Sequence, residues 1–148
     1  CLELGARHAI DYRSENFAAA VKALTKEEGV DVIIDFIGAP YFQQNLQALR
    51  TDGRLVILAF LGGVQVKDMN IAALLRKRLR VEGSTLRSRS LDYKIALTGA
   101  LNVFAWPRFE SGDLRPVIDT VFDWTDVADA HRYMEANKNR GKIVLRVS

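Results

Sequence analysis

Apolar positions along the chain follow two different spacings. At 30–37 the run Val-Asp-Val-Ile-Ile-Asp-Phe-Ile is nearly continuous in β-branched and aromatic residues, and 55–60 reads Leu-Val-Ile-Leu-Ala-Phe. Runs of this kind predict strands at 30–37 and 54–60 that are covered on both faces, as in a parallel sheet. Between them the spacing lengthens to that of helices. Phe17, Val21 and Leu24 form one apolar face, with Ser14 or Asn16 available as a cap and Glu27-Glu28-Gly29 as a stop. Gly38-Ala39-Pro40 breaks the first strand, 41–49 predicts a second helix, and Thr51-Asp52-Gly53 predicts a turn before the next strand. Residues 8–12 predict a short strand. They follow an opening, 1–6, that looks like the last turn of a helix closed by Gly5. That opening creates the expectation that more chain precedes residue 1.

Downstream, 71–78 predicts a short helix and 79–85 alternates polar with apolar, as an edge strand does. Residues 90–109 predict a long helix interrupted near Trp106-Pro107, because proline removes a donor and crowds the preceding turn. A strand at 117–122, a helix at 126–136 with Thr125 as its cap, and a last strand at 141–147 complete the reading. Strands alternating with helices predict an α/β fold with parallel strands and right-handed crossovers.

Composition changes this picture little. The 148 residues are 49% hydrophobic and 26% charged, with a net charge of +3, as expected of an ordinary globular domain. The basic run Arg76-Lys77-Arg78 with Arg80, followed by Arg87 and Arg89, reads as a solvated helix end beside a strand in preference to a nucleic-acid surface. Cys1 is the single cysteine, which excludes a disulfide framework and a multi-cysteine metal site within these residues. No apolar run approaches the roughly 18–20 residues of a membrane span, and a cytoplasmic location is the expectation.

Candidate chemistry concentrates at strand ends. In an open α/β sheet ligands bind beyond the carboxyl ends of the strands. Tyr12 to Ser14, Ile37-Gly38-Ala39 and Phe60-Leu61-Gly62-Gly63 lie at three such ends. Three consecutive ends with small or turn-forming residues point to a shared ligand crevice. No G-x-G-x-x-G is present, so a pyrophosphate site is expected upstream of these residues. His8 and His131 lie far apart, and Ser84, Thr85 and Thr120 have no base beside them in sequence. Asp35, in an apolar strand, is expected to bond to backbone or to a neighbouring side chain. No catalytic residue and no metal ligand is predicted.

The ordered motifs carry a family likeness. They are Gly5-Ala6-Arg7-His8-Ala9-Ile10-Asp11-Tyr12-Arg13, then 30–38, Gly53-Arg54-Leu55-Val56, 74–78, 83–89, 130–139 and Gly141-Lys142-Ile143-Val144-Leu145. Together they resemble the zinc-independent NADPH:quinone oxidoreductases of the medium-chain dehydrogenase/reductase superfamily. The resemblance implies a partial Rossmann-like, doubly wound parallel sheet lacking its first two strands (1–110), followed by a return segment (111–148) toward an absent GroES-like catalytic domain. It implies NADPH as cofactor and a quinone or other small electrophile as substrate. Tyr12 would then lie against the adenosine ribose and its 2′-phosphate, with Ile37 and Gly38 near the adenine ribose. Phe60 and Leu61 would line the nicotinamide ribose, Thr85 the nicotinamide end, and Asn139 would approach from the tail. It also implies a homodimer paired through the edge strand at 79–85. Two other readings are an enoyl-thioester reductase of the same superfamily and a non-catalytic dimerisation or RNA-binding module using 76–89. Without a phosphate loop, this segment alone is expected to bind NADPH weakly or not at all and to be inactive.

Overall fold

The computed structural model describes residues 1–147 and divides into two compact units, Cys1–Ser88 and Arg89–Ser148. The first is a three-stranded parallel sheet with helices. Its strands are β1 (Val30–Asp35), β2 (Leu49–Ile57) and β3 (Arg80–Gly83), in the order β1-β2-β3. Helix α1 (Phe17–Leu24) precedes β1, α2 (Phe42–Ala48) joins β1 to β2, and α3 (Ala72–Arg76) joins β2 to β3. Asn16 caps α1, its side chain accepting the Ala19 N–H at 3.0 Å. At the chain start a 3-10 turn, Leu2–Leu4, ends on Gly5 at φ 94°, the left-handed closure expected there.

The core of this unit lies between α2 and the sheet. Leu46, Leu49 and Leu55 are fully buried, and Phe42, Ile33, Ile57, Leu74 and Leu79 pack around them. Each such leucine contributes about 1.5–3 kcal/mol by leaving water. The opposite face of β1 departs from expectation: Val32 and Ile34 are 54% and 62% exposed. Side chains alternate across a strand, so these two point to the face opposite Ile33 and Asp35. Residues 8–12 do not form the expected strand. β1 pairs with β2 alone, and Tyr12 meets the helical layer through its ring, 6.1 Å from that of Tyr41. The Thr51-Asp52-Gly53 turn is present, but inside β2: β1 advances from Val30 to Val32 while β2 advances from Leu49 to Arg54, looping the turn out of the ladder.

Two residues of the basic run anchor this arrangement. The Lys77 ammonium donates to the carbonyls of Leu46, Gln47 and Leu49, at 3.0, 2.9 and 2.6 Å, and so closes the C-terminus of α2. Arg78 forks onto Asp52, with Nε–Oδ1 at 2.8 Å and Nη2–Oδ2 at 2.6 Å, and holds that carboxyl below its ordinary pKa. The positive helix end is thus partly turned inward, beyond the solvated face expected of it.

The second unit contains α4 (Leu91–Ser111), β4 (Ile118–Asp123), α5 (Val127–Glu135) and β5 (Lys142–Arg146), with β4 and β5 parallel. Helix α4 runs unbroken through Pro107, contrary to expectation. Proline sits near the helix end, where one lost bond, to the carbonyl four residues back, leaves the preceding turns intact. Ser90 caps α4 and Gly112, at φ 81°, ends it. Thr125 does not cap α5: a 3-10 turn over Trp124–Asp126 leads into the helix, and Asp126 occupies the cap position without a side-chain bond. Ala130 of α5 is buried, and α5 and β5 share an apolar groove lined by Val127, Met134, Ile143 and Leu145. No helix among the described residues is long and apolar enough to cross a membrane.

Replacing Lys77 with Met is expected to lower stability by about 2–3 kcal/mol, since three carbonyls lose a charged donor. A urea midpoint equal to that of the unaltered protein would contradict this.

Candidate functional site

The carboxyl end of the sheet is organised around one buried carboxylate. Asp35 ends β1 and is 5% exposed. Its Oδ1 accepts the Ile37 N–H at 2.7 Å, and both oxygens lie 3.2 Å from the Gly38 nitrogen. Oδ2 also accepts Nδ2 of buried Asn45, on α2, at 3.0 Å. Asp35 therefore bonds to backbone and to a neighbouring side chain, as expected of a charge in an apolar strand. The chain turns sharply at Gly38, with φ 86° and ψ −129°.

Beyond Ile57 the β2 chain stays in register with this turn. Leu58 N–H donates to Asp35 O at 2.7 Å, Leu61 N–H to Phe36 O at 3.1 Å, and Gly62 N–H to Ile37 O at 2.8 Å. Ala39 N–H returns a bond to Gly63 O at 3.0 Å. Two strand-end loops are thereby joined, 35–39 and 58–63. The join requires glycine at 38: a Cβ there would stand 2.8 Å from Gly63 O and 2.9 Å from Phe60 Cδ1.

Four of the residues singled out in the sequence, Ile37, Gly38, Phe60 and Leu61, meet in these joined loops. Phe60 and Leu61 are 54% and 78% exposed, and Gly63, at φ 121°, has open space where a side chain would point. Tyr12 and Ile37 line one groove with Phe17, Ile34 and Tyr41. The Arg13 guanidinium stands 5.9 Å from the Tyr12 ring centroid, leaving a cation at the groove's side. Thr85 follows the end of β3, where Ser84 N–H donates to Ile57 O at 2.9 Å, so it lies at the same carboxyl edge of the sheet. Asn139 belongs to the second unit, where its Nδ2 donates to Gly141 O at 2.8 Å.

In that second unit Asp119 holds the turn containing Asn139, its Oδ1 accepting the Arg140 N–H at 2.8 Å. Its Oδ2 is buried with no hydrogen-bond partner among the described residues. The interaction with this carboxylate, then burial, raises the Tyr133 phenol of α5 above its ordinary 10.0. Sequence reasoning passed over Asn45. Its signal was a lone amide on the apolar Phe42, Leu46, Leu49 face of a helix, ten residues after an aspartate in an apolar strand.

Two outcomes follow from this geometry. Gly38→Ala is expected to cost about 2–4 kcal/mol, from a disfavoured φ together with overpacking; a denaturation midpoint near that of the unaltered protein would contradict the account of the turn. For Tyr133 the folded form retains its proton above the unfolded value, so its contribution is complete below about pH 10 and is lost as pH rises through the folded value. Carbon NMR of the tyrosine rings should show Tyr133 titrating above 10.0, and its midpoint falling in Asp119→Asn. A midpoint indifferent to that change would refute the link.

Comparison with known proteins gives this edge its context. The model of the zinc-binding dehydrogenases matches residues 4–145. Quinone oxidoreductase-like protein 2 of Bos taurus is 27% identical over 153 residues, which are 97% of this chain and 41% of that protein. The quinone oxidoreductase of Sus scrofa is 28% identical over 145 residues, covering 97% of this chain and 42% of its own length. Among solved structures, an NAD-dependent alcohol dehydrogenase superposes with a TM-score of 0.77 at 28% identity, covering 99% of this chain and 40% of that one. The chain thus spans about two fifths of the length of the proteins it matches, and corresponds to their C-terminal part. The zinc in the family's description finds no ligand set here: among the described residues no three of His, Cys, Asp and Glu converge. The parallel sheet, its glycine-lined carboxyl edge and a match over nearly every residue make this chain a member of the zinc-binding dehydrogenase family, within the medium-chain dehydrogenase/reductase superfamily of oxidoreductases.

Proposed function

We propose that this chain is the cofactor-binding portion of an oxidoreductase that passes hydride from NADPH to a quinone or another small electrophilic acceptor. The observation that carries the reading is the meeting of the β1 and β2 loops at the carboxyl edge of a parallel sheet, where ligands of such sheets sit. Bound NADPH supplies the hydride; the protein's task is to hold and orient it. Ile37, Gly38, Phe60 and Leu61 offer an apolar, closely approachable surface to ribose and nicotinamide, and Thr85 offers a hydroxyl at the same edge. Tyr12 and Arg13 fit the adenosine end. The Asp11 carboxylate is turned onto the Arg13 N–H at 3.0 Å, and the Arg13 side chain provides a positive charge for a 2′-phosphate. The pyrophosphate has no glycine-rich loop to receive it in these residues, so binding by this chain is weak.

Association fits the same reading. β3 has a ladder on one side only and all four of its residues are exposed, so pairing with a second copy through 79–85 would close an open edge.

An NMR titration with NADPH is expected to shift the amides of Ile37, Gly38, Phe60, Leu61 and Thr85 before any others. Arg13→Gln is expected to weaken NADPH about tenfold while leaving NADH unchanged. Equal loss for both nucleotides would remove the case for NADPH, and shifts scattered away from the sheet edge would remove the case for the site. Light scattering is expected to give the mass of a dimer, and a monomer at high protein concentration would refute the edge pairing.

A further inference from the structure

The Ile37 and Gly38 N–H groups point the same way from a turn at a sheet's carboxyl edge, an arrangement that in other proteins receives anions. Here the pair is already occupied. Asp35 lies 2.7 Å from the first nitrogen and 3.2 Å from the second, and its position is fixed by Asn45 at 3.0 Å. Both side chains are buried, at 5% and 3% exposure. The Ile37 carbonyl is taken by Gly62 N–H and the Gly38 carbonyl by Tyr41 N–H at 3.0 Å. The N–H groups of Ile37, Gly38 and Ala39 are therefore all taken, and the turn's shape is set by a buried charge at the floor of the groove that Tyr12 and Ile37 line.

We propose that Asp35, held by Asn45, is a positioning residue for the cofactor: its carboxylate fills the N–H pair at the end of β1, so that the turn receives an uncharged part of the dinucleotide and rejects its phosphates. The inference rests on the nicotinamide-cofactor reading above. Asp35 acts through Ile37 and Gly38, and through them on Phe60 and Leu61, because the two loops are joined by the bonds from Leu58, Leu61 and Gly62 to residues 35–37. A packing role alone would need only that positions 35 and 45 fill their space and bond to each other. The positioning role needs a charged double acceptor at 35 in particular.

That difference sets the experiment, made on this chain with NADPH as the probe. Amide exchange by NMR is measured beside the NADPH dissociation constant and the urea midpoint. The variants are Asp35→Asn, and Asp35→Asn combined with Asn45→Asp. The double exchange keeps volume and the bond between the two side chains while moving the charge away from the turn. Asp35→Asn is expected to speed exchange at Ile37 and Gly38, and to weaken NADPH, by about tenfold or more. The double exchange is expected to recover most of the urea midpoint but neither the slow exchange nor the affinity. Recovery of affinity together with stability would overturn the proposal in favour of packing alone, as would unchanged NADPH binding in Asp35→Asn. Uptake of NADPH by the unaltered chain away from the sheet edge would overturn the cofactor reading itself, and this inference with it.

Discussion

A carboxylate buried at the end of a strand must be surrounded by donors, and Asp35 draws its donors from two directions. From the chain immediately ahead it takes the N–H groups of Ile37 and Gly38, which forces β1 to end in a sharp turn. From α2 it takes the Asn45 amide, which ties the helix covering the sheet to the strand end it follows. Leaving either set unmade would strand a buried charge, a penalty of several kcal/mol. The loop after β2 then zips onto the shaped turn through successive backbone bonds, and glycine at 38 is required by the closeness of that approach. The candidate site is in this sense a consequence of one charge placed in apolar surroundings.

The same unit uses a second charge at its other end. Lys77 gathers the last carbonyls of α2, while Arg78 forks onto the turn looped out of β2. The helix joining β1 to β2 is thus anchored at its middle through Asn45 and Asp35, and at its end by Lys77. A helix of seven residues has little stability of its own, so these anchors and the Leu46, Leu49, Leu55 core carry it. Charge that looks from the sequence like a solvated patch is in part structural.

Much of the fold was legible in the residues. The β-branched runs at 30–37 and 54–60, the helix face of Phe17, Val21 and Leu24, and the glycines at 5 and 38 all correspond to elements or closures found in the structure. These features are local: periodicity and backbone preference act over a few residues and need no knowledge of neighbours. The departures depend on where a residue stands in the fold. Residues 8–12 have strand composition but no ladder to join; Val32 and Ile34 look like two-sided core but are half exposed; Pro107 resembles a break but sits where a helix can spare one bond.

For the site, sequence order alone determined which residues follow the strands at 30–35, 49–57 and 80–83, and so could face a ligand, whereas the strand end expected at Tyr12 is absent. Alternation of strand and helix brings successive strand ends to one edge whatever the side chains do. Only tertiary structure decided that Ile37 and Gly38 would bond to the loop of Phe60 and Leu61, that Tyr12 would line the same groove as Ile37, and that Asn45 would find Asp35. The physical reason is that hydrogen bonds between distant segments depend on how helix and sheet pack. A buried polar pair ten residues apart is invisible to any pattern of period two or three and six tenths.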